Sequence, residues 1–425
     1  MTRCMTDMPD DLDVLDVADR LWRVDMTIEQ AHPFAPRGGI AEVADGCAFV
    51  PSFANVSAVS TDDGLVLVDT GSQLFAPAAL NELRRWSTDR VHTAVYSHGH
   101  IDHVFGVPLI EEEASANGWA PPRVLAHEAM PARFDRYILT AGYNEVINRR
   151  QFGVPNLRWP TEYRYPDETY RDTLTVDVGG MAIELHHARG ETDDHTWTWF
   201  AEQKLLCCGD FFIWACPNAG NPFKVQRYPK EWAVALRQMA ALQPEILLPG
   251  HGVPIVGADR VGQALTDAAA LLESLHDQTV DLMNEGASLD EVIHAVRGPA
   301  ELLDRPYLQP IYDDPEFIVR NVWRLYGGWW DGDPSHLKPA PETDLAVELA
   351  ALAGGAARLA ERAVEIADAG DLRLAAHLAE LAGRAAPDDR AVLDARAEVY
   401  RRRAAAERSL MARNTFNWAA GRDAP

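Results

Sequence analysis

The stretch that most constrains this chain is Ser97-His98-Gly99-His100-Ile101-Asp102-His103, which carries three histidines and a carboxylate within six residues. It follows Val91-His92-Thr93-Ala94-Val95-Tyr96, a β-branched and aromatic run that reads as a buried strand ending at a loop. On an extended loop His98 and His100 project to one side. Asp102 and His103 fall where the next turn aims them at a second point about 3.5–4 Å away, the separation of a two-metal centre. Packing does not call for so many ligating groups in so short a stretch, so the chain is read as folding around metal ions.

Three later segments each follow an apolar, strand-like run: Arg189-Gly190-Glu191-Thr192-Asp193-Asp194-His195, Leu205-Leu206-Cys207-Cys208-Gly209-Asp210 and Leu247-Leu248-Pro249-Gly250-His251-Gly252. The H-x-H-x-D-H string, with Gly209-Asp210 and Gly250-His251, resembles the signature of the metallo-β-lactamase superfamily. Where most members carry a third histidine in a G-H-T context, this chain has Gly190-Glu191-Thr192, at the family's usual spacing from Asp210. A carboxylate there is similar to the class III alkylsulfatases. Tyr326-Gly327-Gly328-Trp329-Trp330-Asp331-Gly332-Asp333-Pro334, with Leu337, Pro339, Leu352-Ala353-Gly354-Gly355, Gly370-Asp371 and Arg413-Asn414, resembles that branch's dimerisation region. The resemblance runs from roughly residue 45 to 418 and does not extend to the lipid-transfer-like C-terminal domain of the long alkylsulfatases.

The resemblance implies an α/β fold, a metallo-β-lactamase αββα sandwich followed by an all-α dimerisation region. It implies one metal on His98, His100 and Glu191, a second on Asp102, His103 and His251, and Asp210 bridging them. The mixture of imidazole and carboxylate suits two zinc ions, with manganese or iron as alternatives. A bridging hydroxide, supported by Asp102 and Asp210, would cleave a small ester, foremost an alkyl sulfate-type ester. Phosphoester, lactone or amide hydrolysis on the same fold, oxygen or sulfur chemistry at a mononuclear iron or mixed-metal site, and a non-catalytic dimeric scaffold with a vestigial site are the alternatives. His195 is open as a ligand in place of Glu191 or as a general acid. Asp69, in Asp69-Thr70-Gly71, is implied to orient a ligand histidine, with a turn-forming aspartate as the other account.

Charge adds a constraint. Asp102, Glu191, Asp210 and a hydroxide balance two divalent ions, leaving a nearly neutral centre, so an anionic substrate needs basic side chains of its own. Arg149, Arg150, Lys224 and Arg227 are the candidates, Arg227 and Arg150 first, and Asn218 and Tyr228 stand in the same segment after Asp210. The chain has 425 residues, 47% of them hydrophobic, and a formal charge of −25. That acidity argues against a nucleic-acid groove. No apolar run is long enough for a membrane span, and Met1 to Met8 lack the pattern of a signal peptide, which points to the cytoplasm. Five cysteines without zinc-finger spacing read as reduced, with Cys207 and Cys208 as core filling.

Four regions follow: an N-terminal extension (1–44), the catalytic domain (45–258), a helical linker and dimerisation segment (259–340) and an α-helical hairpin domain (341–425). Val56–Ser60 and Leu65–Val68 read as a hairpin, Val261 to Gly286 as a helix, and Ser288-Leu289-Asp290-Glu291 as a capping box. Residues 122–178, the least regular part, are expected to supply substrate-facing loops, with Arg133 either in an anion-binding wall or on an ordinary solvated helix face. The apolar stretch Trp323–Trp330 is expected in a core or a homodimer contact. Beyond Pro341 an Ala-rich composition, broken at Gly370-Asp371 and Pro387-Asp388-Asp389, resembles tetratricopeptide hairpins. The tail Gly421–Pro425 should fray.

Overall fold

The computed structural model describes residues 13–421. Cys4, the start on which the signal-peptide reading rests, and residues 422–425 lie outside the described residues. A short helix α1 (Val14–Trp22) precedes the first sheet. That sheet has seven strands in sequential order: β1 (Ala41–Ala44), β2 (Cys47–Val50), β3 (Val56–Thr61), β4 (Gly64–Val68), β5 (Val91–Val95), β6 (Arg123–His127) and β7 (Glu168–Tyr170). β1 to β4 are antiparallel and β4 to β7 parallel. β4 is buried along its whole length, as a continuous Leu-Val run requires when both faces are covered. The expected hairpin closes with Thr61 opposite Gly64, whose φ of 124° only glycine adopts without strain.

Helices connect the parallel strands, and prolines within their first turns set where they begin. α2 (Ala76–Trp86) and α3 (Val107–Asn117) bring Ala79, Leu83 and Ile110 onto Ala58, Leu65, Leu67 and Val91. α4 (Met130–Leu139) brings Met130 and Phe134 onto Ala94, Val124 and Ala126. With α5 (Ala141–Phe152), these helices make residues 122–178 more regular than the sequence suggests, because the polar faces of α4 and α5 hide their helical period.

The second sheet has the order β13-β12-β11-β10-β9-β8, built from β8 (Thr173–Val178), β9 (Met181–His187), β10 (Thr196–Phe200), β11 (Leu205–Gly209), β12 (Ile246–Pro249) and β13 (Ile255–Val256). Only β11 and β12 in it run parallel. Between them the chain forms α6 (Pro229–Ala241), which packs on α7 (Ala258–Asn284). The two sheets are stitched where Thr196 N donates to Ser97 O (2.6 Å) and Tyr170 Oη to Thr196 Oγ1 (2.7 Å). Sheets with covering helices followed by a helical region are the architecture expected from the sequence.

The capping box forms as read, with Ser288 N and Oγ on Glu291 Oε2 (2.7 and 2.8 Å) at the start of α8 (Leu289–Ala295). After α9 (Ala300–Leu303) comes α10 (Pro315–Gly327). The chain divides into two compact units, the first ending near residue 326 and the second comprising residues 143–158, 288–291 and 327 onward. In the second unit α11 (Pro334–Leu337) leads to α12 (Glu342–Leu352), α13 (Ala356–Asp368), α14 (Leu372–Ala385), α15 (Arg390–Ala406) and α16 (Leu410–Gly421). Its core is largely alanine: Ala363, Ala375, Ala379 and Ala382 let the helices approach closely. Asp371 and Asp389 cap α14 and α15, which explains the breaks read from sequence. Trp329 and Leu352 remain 72% and 85% exposed.

Candidate metal centre

Every predicted ligand stands just past the carboxyl end of a strand. β5 delivers His98, His100, Asp102 and His103; β9 is followed by Glu191, β11 by Asp210 and β12 by His251. They gather into two groups, His98 with His100, Glu191 and Asp210, and Asp102 with His103 and His251, the donor atoms of each group lying within 4.8 Å of one another. Asp210 faces both: its Oδ2 is 3.9 Å from His98 Nε2 and 3.4 Å from His251 Nε2, and its Oδ1 is 3.5 Å from His103 Nε2. Asp102 Oδ2 lies 3.4 Å from His251 Nε2 and 3.7 Å from His103 Nε2. His100 and Asp102 keep 16% and 20% of their side chains exposed, while the other five are nearly sealed. These two are the donors nearest to solvent.

The donors are fixed from behind. Asp69, at a left-handed φ of 61°, accepts from Ser97 N and Ser97 Oγ and meets His103 Nδ1, each at 2.7 Å. Ser97 Oγ in turn lies 3.0 Å from His98 Nδ1. One carboxylate thus orients two ligand rings, directly and through a hydroxyl. Asp194 accepts from Gly99 N (3.0 Å) and pairs with the buried Arg133 (2.8 Å), anchoring the turn between His98 and His100. Arg133 was expected in an anion-binding wall; it is instead enclosed, holding Asp193 as well as Asp194. His251 Nδ1 meets Phe53 O, and Phe34 packs on the His251 ring with centroids 4.4 Å apart. Gly250 has no alternative, since a Cβ there would sit 2.0 Å from Asp210 Oδ1.

Buried donor atoms test whether cations fit this cradle. His103 Nε2, Glu191 Oε2 and Asp210 Oδ1 are buried and find no hydrogen-bond partner among the described residues. Buried polar atoms are seldom left so, and these three belong to the two donor groups. Burial holds His98 and His100 well below the ordinary imidazole range, which leaves them neutral with lone pairs to offer. Burial also lowers the basicity of His103, but Asp69, Asp210 and Asp102 override it and raise His103 to about 9. Glu191 is pushed up to about 8 by burial, against the pull of Arg227. The neutral imidazoles of His98 and His100, with His103 and His251 set among the crowded carboxylates of Asp102 and Asp210, form a donor set suited to divalent cations.

The remaining predicted residues occupy different surroundings. Arg227 is 1% exposed; its Nη1 donates to Glu191 Oε1 (2.7 Å) and Glu191 O (3.1 Å). Its Nε and Nη2 are buried with no hydrogen-bond partner among the described residues. Asn218 donates through Nδ2 to the same Glu191 Oε1. Lys224 lies with its ammonium 5.5 Å from the Trp159 ring, its pKa brought down to about 7 by burial and by Arg227. Tyr228 begins α6, and its ring faces Arg189. Arg150 lies on α5 with its guanidinium 4.1 Å from the Trp418 ring, inside the helical unit. His195 stacks on His98 with centroids 4.4 Å apart and meets Phe211 in a tilted contact at 4.2 Å, and burial lowers it to about 3. His127 and His187 stack on each other at 3.6 Å, and His187 Nδ1 meets His195 O at 2.9 Å. Sequence reasoning missed Asp194, and also Tyr312, Asp313 and Asn321, which pack around the segment carrying Asn218 and Arg227 or around Phe34.

Residues 50–251 match the model of the metallo-beta-lactamase superfamily, and residues 288–423 match that of alkyl sulfatase dimerisation. A linear primary-alkylsulfatase from a Pseudomonas species is 28% identical over 380 residues, spanning 84% of this chain and 72% of that protein. An (R)-specific secondary-alkylsulfatase, also from Pseudomonas, is 27% identical over 354 residues, 76% of this chain and 53% of that one. The solved structure of a stereoselective inverting sec-alkylsulfatase from Pseudomonas superposes with a TM-score of 0.82 at 24% identity, covering 97% of this chain and 69% of that chain. The chain thus spans between about half and three quarters of the length of these relatives.

Proposed function

We propose, from the premise that residues 50–251 belong to the metallo-β-lactamase superfamily and residues 288–423 to the alkyl sulfatase dimerisation family, that the protein is a dinuclear metal-dependent hydrolase of small sulfate esters. Both matches bear out the resemblance drawn from the sequence. The observation that carries the reading is the pairing of seven converging donors with the open N–H groups of Arg227 on the Glu191 side.

His98, His100 and Glu191 would hold one ion, and Asp102, His103 and His251 the other, with Asp210 within reach of both. Two divalent ions, zinc first, with manganese or iron favoured by the carboxylate of Glu191, would supply Lewis acidity and bring the pKa of a bound water from about 15.7 toward about 7. Arg227 binds and orients the anionic ester group with Nε and Nη2, while its Nη1 keeps Glu191 in place. Asn218 fixes the same carboxylate, and Lys224, whose ammonium titrates near neutrality, is a second basic group on the side of His100 that an entering anion would favour in its charged form. His195 backs the His98 ring as a neutral imidazole, so we place it in support of the donor set. The segment from Gly327 to Leu352, with Trp329 and Leu352 exposed, is the face we assign to a second copy of the chain in a homodimer. No helix among the described residues is long and apolar enough to cross a membrane. Four buried thiols, Cys47, Cys207, Cys208 and Cys216, accord with a reducing compartment such as the cytoplasm.

The test is metal content followed by a turnover panel of sulfate, phosphate, lactone and amide substrates on the metal-replete protein. Two ions per chain with sulfate esters turned over fastest is the expected result; one iron per chain, or no bound metal in a folded sample, would overturn the reading. Turnover in oxygen-labelled water then decides whether the C–O or the S–O bond breaks.

A further inference from the structure

Residues 313–324 fall within the span matched to dimerisation, yet they grip the loop that carries Asn218 and Arg227. That loop has no helix or strand of its own between Pro217 and Tyr228, so its order must come from outside it. Three independent contacts supply it. Gly220 lies so close to the first turn of α10 that a Cβ would come within 2.3 Å of Phe317 C and 2.4 Å of Ile318 N. Asp313, fully buried, accepts through Oδ2 from Gly220 N (2.6 Å) and Asn221 N (3.2 Å). Asn321, 3% exposed, donates through Nδ2 to Ala219 O (2.8 Å) and to Arg227 O (3.0 Å), tying both ends of the loop to a single carboxamide. Its own oxygens accept from Gln226 Nε2, both at 3.1 Å.

We infer that Asp313 and Asn321 are positioning residues that hold the 218–227 loop against α10, so that Arg227 meets Glu191 with one nitrogen and presents the others to the anionic group of the substrate. A long guanidinium side chain set in advance spares the ordering cost that binding would otherwise meet, so the effect belongs in substrate affinity more than in the chemical step. The inference rests on the sulfate-ester reading for its substrate, but the tether itself is independent of it.

The decisive variants are Asn321→Leu, which keeps the shape of the side chain and removes its hydrogen bonds, and Asp313→Asn, which serves as well should the first fail to fold. Arg320→Ala, half-exposed on the same helix, is the control. Hydrogen exchange of the peptide covering 217–228 should quicken by about tenfold or more in both variants and stay unchanged in the control. In the metal-loaded protein KM for a sulfate ester should rise about tenfold or more with kcat within about threefold and metal content unaltered. A merely structural role would not separate KM from kcat. Unchanged exchange, or a fall in kcat at constant KM, would overturn the assignment. If the wild-type protein turns over no sulfate ester, the proposed function falls, and the exchange rates alone still decide the tether.

Discussion

A single methyl group added at Gly250 should dismantle the centre. The φ of Gly250 is not among the positive ones, so alanine fits the backbone and the perturbation is purely steric. The new Cβ would lie 2.0 Å from Asp210 Oδ1 and 2.8 Å from Gly209 C, against a closest ordinary approach of 3.0 Å. The backbone has little room to retreat. Gly250 N donates to Gly209 O, and Asn55 N donates to Gly250 O, both at 2.8 Å, while Asn55 Nδ2 holds Pro249 O at 3.0 Å. Asp210 must therefore yield, its oxygen moving by about 1 Å, several times the ~0.2 Å that a metal–ligand bond tolerates. Because Asp210 faces both donor groups, affinity should fall for both ions, by at least the ~10–100-fold typical of disturbing an outer ligand support. Turnover should drop about 100-fold or more, the effect of a misplacement near 1 Å. Dialysis of Gly250→Ala against a chelator-buffered zinc series, with metal per chain read at each step and circular dichroism confirming the fold, measures this. Gly262→Ala, where the Cβ meets open space, is the matched control. Retention of both ions at wild-type affinity, with turnover within about threefold, would refute the reasoning.

Three further outcomes are expected. Asp69→Asn exchanges an acceptor for a donor toward Ser97 and His103, so metal affinity should fall by about 10–100-fold with the fold intact, as competition with a chromophoric chelator would show. Arg227→Met should raise KM for anionic esters with metal retained; an unchanged KM would remove Arg227 from the substrate site. The stacked pair His127 and His187 is held below the ordinary imidazole range by burial, with the neighbouring imidazole of His187 acting next on His127. Asp194, Glu128, Asp172 and Arg189 also act on the pair. Depressed folded-state values mean that the stability they contribute is present above pH ~6.5 and is lost as the pH falls through the folded-state values. His127→Phe should flatten that loss between about pH 6.5 and 5 in denaturant titrations, and an identical slope in the two proteins would contradict it.

The side chains that gather as candidate metal donors were legible because each sits in a short string: the histidine run, Gly190-Glu191-Thr192, Gly209-Asp210 and Gly250-His251 follow strands whose apolar runs are plain. The hairpin around Asp62 and Asp63, the capping box at Ser288 and the breaks at Gly370 and Pro387 were equally local. What stayed hidden acts across long separations on backbone atoms. Asp194 reaches Gly99 N and Asn321 reaches Ala219 O, and nothing near either residue in sequence announces which peptide group it will serve. Arg133 was misread for the same reason: an arginine on a polar helix looks solvated until the aspartates that enclose it are seen to arrive from another strand connection. Trp329 went the other way, too apolar in sequence for open surface yet left outside its own unit's core.

Each donor group draws on both sheets. His98 and His100 await Glu191 and Asp210, and Asp102 and His103 await His251, which arrives almost 150 residues later. A ribosome-bound chain therefore offers no finished pocket until the last strands have emerged and paired. Cation uptake at these residues would be confined to completed domains, and a loaded ion would clamp the seam between halves that were made at different times.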